Sequence, residues 1–134
     1  MTTMNEVVFS ALLLVALALF FLGFVWWKSK ARGLSAAQKQ EIWNHWHRAL
    51  AIEDLHRRVM EGDKVLDHAM QLSGFQGSMA DKLRKAGPRF SNVQALWDAH
   101  KLRNSIAHEV SFPLSQKEAS RAMTAFEKGL RDLC

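Results

Sequence analysis

The chain has 134 residues, one cysteine, and 18 Lys and Arg against 13 Asp and Glu, a formal charge of +5. That length holds one small domain. The single thiol, Cys134, excludes an internal disulfide and suits a reducing compartment. No glycine-rich phosphate loop, Ser-His-Asp order or pair of catalytic carboxylates stands out.

Residues 1–6 carry one charge, Glu6, and are expected to form a short extracytoplasmic N-terminus. Residues 7–27, VVFSALLLVALALFFLGFVWW, contain no charge at all. At about 1.5 Å per residue such a helix spans the roughly 30 Å hydrocarbon layer of a bilayer. Trp26 and Trp27 close it where amphipathic rings prefer the headgroup level. A cleaved signal would want a basic stretch ahead of a shorter apolar run, and here none precedes it. Lys28, Lys30 and Arg32 follow immediately, so the positive-inside rule predicts a single-pass cell-membrane anchor with the remainder in the cytoplasm. Trp26, Trp27, Lys28, Lys30 and Arg32, three of them cationic, are the expected membrane interface. All 18 basic and 12 of the acidic residues lie beyond the span, leaving a charge of +6 that suits either a solvated surface or RNA.

Residues 28–34 read as a basic linker, and residues 35–134 as a helical domain. Ser35 and Gln38 form a capping-box pair before Ile42, Trp43, Trp46 and Leu50, which recur at helical spacing. The apolar phase shifts near residues 50–53, which predicts a break there. A second helix follows through Leu55, Val59, Val65, Leu66, Ala69, Met70 and Leu72 to Gly74, weakened by Gly62. Ser78 caps a short helix stopped by Gly87 and Pro88. Ser91 is the predicted cap of the next, which must end before Pro113. Ser115 and Glu118 then open a helix with a stripe of Ala119, Ala122, Met123, Phe126, Leu130 and Leu133. No stretch alternates with period two. The predicted fold class is therefore all-α, a bundle of four to five helices preceded by one transmembrane helix.

The helix over residues 92–110 holds an anomaly. Advancing about 100° per residue from Val93, the residues Leu96, Ala99, Ile106, Ala107 and Val110 cover an apolar arc of roughly 220° to 320°. Arg103 falls near its middle, at about 280°. Trp97, His100 and Asn104 occupy the shoulder, with His108 one turn beyond Asn104. Withdrawing a guanidinium from water is costly unless it is paired. Its partner is either a carboxylate on the second helix, Asp63 or Asp67, or a group on a second copy of the chain. It also has the option of reaching out to solvent.

The stretch RNSIAH, Arg103 to His108, resembles the R-x4-6-H motif of the HEPN superfamily, including the polar residue directly after the arginine. Its setting, ALWDAHKLRNSIAHE followed by LSQKEASRAMTAFEKGL, is similar to the closing two helices of HEPN bundles over about residues 40–133. The resemblance implies a homodimer in which two motif helices face one cleft. It implies metal-independent endoribonuclease chemistry there, with the substrate's own 2′-OH as nucleophile. Arg103 would stabilise the phosphorane-like charge, His108 would transfer protons, and Asn104 would orient the histidine or the phosphate. His100 and Lys101 are assigned to substrate binding. The resemblance equally implies a second role, since many HEPN members are non-catalytic interaction modules and some answer to a regulatory protein partner.

No cofactor and no metal are expected. His45 and His47 lie on different helix faces without a Cys or close Glu to complete a set, and His56 and His68 lack a paired ligand four residues on. Trp43 and Trp46 read as core rather than as a base-stacking platform. The run KLRKAGPR, Lys82 to Arg89, reads as a solvated loop or as a rim for RNA or headgroups.

Overall fold

The structure, a computed structural model, describes residues 3–29 and 33–134, with the backbone alone for residues 28 and 29. Among the described residues there are six α-helices and no strand. The chain divides into two units, Met1–Ala31 and Arg32–Cys134.

The first unit is one helix, α1 (Met4–Ser29). Its stretch Met4–Trp27 is long and apolar enough to cross a membrane, and none of it is buried within the protein. The helix thus begins three residues earlier than the apolar run suggests, taking in Glu6, whose carboxylate accepts from the Thr3 backbone N–H. Trp27 packs against Phe24 with ring centroids 6.4 Å apart. Of the expected interface residues, the Lys28 side chain, Lys30 and Arg32 lie outside the described residues.

The second unit holds five helices: α2 (Ala36–Leu50), α3 (Leu55–Leu72), α4 (Met79–Ala86), α5 (Val93–His108) and α6 (Gln116–Leu133). A 3-10 turn, Gly87–Arg89, follows α4. The capping serines act as their spacing predicts. Ser35, Ser78 and Ser115 each accept the N3 backbone N–H, and each has its own backbone N–H taken by the N3 side chain. In the Ser78 box the backbone and hydroxyl of Ser78 hold the Asp81 carboxyl below its ordinary range. The helix break falls where the apolar phase shifts, with Asp54 capping α3. One cap differs from expectation. Asn92, not Ser91, caps α5 by accepting from the Ala95 N–H, while Ser91 is drawn away to Asp132, at 2.8 Å and 2.9 Å. Helix α3 closes in a Schellman turn, with Phe75 N–H on Met70 C=O and Gly74 N–H on Gln71 C=O, Gly74 at φ 97°.

Helix α3 lies at the centre, packed against α2, α5 and α6. Ile42 and Trp46 from α2, Val59, Leu66 and Met70 from α3, Leu83 from α4, Leu96 from α5, and Phe126 and Leu130 from α6 are all buried. The tryptophans therefore do belong to the core, Trp46 within it and Trp43 packed against it under the Arg131 guanidinium. Gly62 does not interrupt α3. It is buried, and a Cβ there would sit 2.8 Å from Met123 Sδ and 3.0 Å from Phe126 Cδ2, so the missing side chain is what lets α6 close on α3.

The run from Lys82 to Arg89 is not uniformly solvated. Lys82 is buried with its Nζ 2.9 Å from Asp67 Oδ1. Arg84 pairs with Asp81 and Lys85 donates to Gln76 C=O. The alternation follows from α4 being amphipathic, which turns its basic residues to different sides.

Because Met123 is flexible and Phe126 is not, Gly62→Ala should be tolerated better than a branched replacement. Gly62→Val is expected to destabilise the full chain by about 1–3 kcal/mol through overpacking. Chemical denaturation followed by circular dichroism reads this, and a stability equal to wild type would show that α6 does not close on that glycine.

Candidate functional site

Residues 100, 103 and 104 share one face of α5, because positions three and four apart are neighbours on a helix. That face meets α3 at Asp63, a carboxylate with only 5 % of its side chain exposed. Four polar side chains close a ring there. His100 Nδ1 is 3.0 Å from Asp63 Oδ1, and Asn104 Nδ2 is 3.4 Å from His100 Nε2. Arg103 Nη1 donates to Asn104 Oδ1 at 3.2 Å, and Arg103 Nε returns to Asp63 Oδ2 at 3.4 Å.

Donor and acceptor directions around the ring are mutually consistent. Asn104 accepts from the guanidinium through its oxygen, so its amide nitrogen donates to His100 Nε2. The His100 proton then sits on Nδ1 and points at Asp63. A second proton on Nε2 would face the Asn104 amide donor, and flipping the amide would set its nitrogen against Arg103. The ring thus selects one imidazole tautomer. The Arg103–Asp63 contact is charge pairing without hydrogen-bond geometry, since Arg103 Nε is buried and unbonded. Electrostatic attraction at that spacing survives where water is largely excluded.

The arginine therefore has its partner inside the chain. Of the two carboxylates expected as candidates, Asp63 takes it, and Asp67 is occupied by Lys82. Arg103 nonetheless keeps 26 % of its side chain exposed. His100, assigned to substrate binding, is buried with both ring nitrogens engaged, whereas Lys101 is exposed. His108 stands in the last turn of α5, exposed, with no hydrogen bond or ion pair among the described residues.

The apolar arc is corrected along its length. Leu96 and Ala99 are buried, Ile106 is partly buried, and Ala107 is exposed. Val110 lies beyond the helix end and is 96 % exposed. A helical projection assumes that the neighbours run as far as the helix does, and here they do not. The chain then turns at Ser111, which takes φ 55°, and the Phe112 carbonyl is held 2.6 Å from His56 Nε2 on α3. Nothing in the local spacing signals that tie.

Two pockets of the helical unit, about 280 Å³ between α2 and α3 and about 220 Å³ between α5 and α6, are lined by neither Arg103, Asn104 nor His108. The Cys134 thiol is pushed up by burial, which lowers its thiolate fraction.

The site thus belongs to an all-helical unit that follows an apolar helix in sequence and carries a part-buried Asp-His-Asn-Arg ring. No protein-family model, curated protein or solved structure matches the chain.

Asp63→Ala should destabilise the fold by about 3–5 kcal/mol, because it strands a charged partner at a buried position. Asp63→Asn keeps one acceptor and lets Arg103 turn to water, so its cost is smaller. Removing Arg103 as well should recover part of the Asp63→Ala loss, a coupling read by a double-mutant cycle in denaturant. Strict additivity would show that the two residues do not interact.

Proposed function

We propose that this protein is a membrane-tethered HEPN-like helical module, its helical domain in the cytoplasm, that acts by pairing with a second copy rather than by cleaving RNA. The observation that carries the reading is the Asp63 carboxylate, which answers the Arg103 charge within the chain. A motif arginine already paired and hydrogen-bonded in a nearly buried ring is a lock between α3 and α5. Its phosphate-binding edge is correspondingly less available. The self-associating surface is the end of α5, where exposed Ala107 and Val110 leave apolar area without a neighbour among the described residues. A bilayer anchor raises the local concentration of such a surface and lets a modest interface suffice.

A second reading, metal-independent endoribonuclease, is favoured by two particulars. His108 is exposed and unpaired, as a proton-transfer group has to be, and Arg103 retains part of its surface on the same helix. That chemistry needs the second copy to complete a cleft.

The detergent-solubilised full chain, incubated with single-stranded RNA in EDTA, is expected to cleave no faster than His108→Ala. Cleavage by the wild type that the variant loses would overturn the first reading in favour of the second. Light scattering on the same preparation should give the mass of a dimer, and Ala107→Asp should shift it toward the monomer. A monomeric wild type would remove the pairing claim.

A further inference from the structure

We propose that Glu41, His45 and His68 form a binding site for a zinc-class divalent cation, with one coordination position open to the pocket between α2 and α3. Glu41 and His45 are four residues apart on α2 and so share a face. His68 comes from α3, packed against it. Glu41 Oε1 lies 3.2 Å from His68 Nε2 and 3.6 Å from His45 Nε2. One donor atom from each of the three falls within 4.8 Å of the others.

The two separations from Glu41 are those a tetrahedral ion requires. Zinc bonds to nitrogen and carboxylate oxygen at about 2.0–2.1 Å, which places neighbouring ligands about 3.3 Å apart. The two carboxylate-imidazole separations bracket that edge. The two rings lie edge to face with centroids 5.9 Å apart, their donor atoms within 4.8 Å, and close on the ion by side-chain rotation. Both present Nε2, and both are held on helices whose apolar faces are sunk in the core beside them, at Ile42, Trp46, Val65 and Ala69. Preorganisation on rigid elements is what distinguishes a cation site from side chains that merely meet on a surface.

The donor set also fixes the class of ion. Two imidazoles and one carboxylate suit zinc and its transition-metal neighbours, whereas calcium and magnesium favour all-oxygen ligation. Three protein ligands leave a fourth position for water, the pattern of an accessible site rather than a closed structural one. The pocket, about 280 Å³ and lined also by Glu61, Lys64 and Val65, provides room for that water. Lys64 is drawn to Glu61 at 2.9 Å, which limits its repulsion of an incoming cation.

One neighbour opposes binding. Arg48 Nη2 is 3.1 Å from His45 Nδ1, so in the ion-free arrangement Nδ1 accepts and the proton sits on Nε2, facing Glu41. Metal on Nε2 shifts that proton to Nδ1, which no longer accepts from Arg48. The exposed guanidinium must then swing away. Arg48 is thus a competitor, and removing it should strengthen the site.

The test uses the untagged full chain in detergent, stripped of metal and titrated with cobalt(II), then with zinc against a chromogenic chelator. One equivalent per chain is expected, with the visible absorption of tetrahedral cobalt. Glu41→Ala and His68→Gln should each weaken binding at least about tenfold, the scale of damage to a zinc ligand shell. Arg48→Ala should bind as tightly or tighter. The three ligand side chains are 40–51 % exposed, so the metal-free variants should melt with the wild type, which separates ligand loss from misfolding. Absence of binding, or binding that His68→Gln and Glu41→Ala leave intact, overturns the proposal. So does binding abolished by Cys134→Ser alone.

Discussion

A carboxylate at the centre of a small bundle must be answered by its neighbours, and Asp63 sets how this one is arranged. It sits on α3, the helix against which α2, α5 and α6 all pack. Its immediate predecessor, Gly62, leaves room for Met123 and Phe126 of α6. One side of α3 therefore admits the Met123 and Phe126 side chains of a neighbour while the next residue presents a charge. The only way to bury that charge is to bring donors from α5, and His100, Asn104 and Arg103 are the donors. Hydrophobic contacts hold α5 near, but they tolerate sliding. The polar ring does not, because its donors and acceptors close in only one register.

This also explains why the sequence pointed to the anomaly but not to its resolution. An arginine in an apolar arc is visible from a helical projection alone. Asp63 and Asp67, however, are four residues apart and share a face of α3, so spacing cannot choose between them. The choice is made by α4, whose buried Lys82 takes Asp67. A lysine in a run of basic residues looks solvated on paper, and its burial depends on how a short helix is laid down. The helix starts were more legible. Ser35, Ser78 and Ser115 cap through bonds confined to four residues, and local bonds leave local signatures. Ser91 misled because Asp132, far along the chain, competes for it.

The same distinction runs along α5. Its first half, with Leu96 and Ala99, is legible because the core it faces is continuous. Toward its C-terminal end and just beyond it the neighbours fall away, so Ala107 and Val110 carry the composition of a core residue without its surroundings. An apolar residue that the fold leaves uncovered costs little by itself. Two of them at and just past one helix end, next to an exposed histidine, are what a second surface would use. An interface that covered them would also add to stability.

Helix α3 then has two chemically different sides. Toward α5 it carries Asp63, buried and compensated within the chain, its charge committed to architecture. Toward α2 it carries His68, opposite Glu41 and His45, where the groups are half exposed and their compensation incomplete. Groups already paired within the chain resist ligands, because a newcomer must first replace what it displaces. Groups that converge on a pocket with one weak competitor do not carry that cost. By that criterion the motif that resembles a catalytic one is the less receptive of the two polar clusters. The cluster that no motif announces is the one we propose for a cation. Its legibility was partial, since Glu41 and His45 are a readable i,i+4 pair, but the third ligand arrives only when α2 and α3 pack.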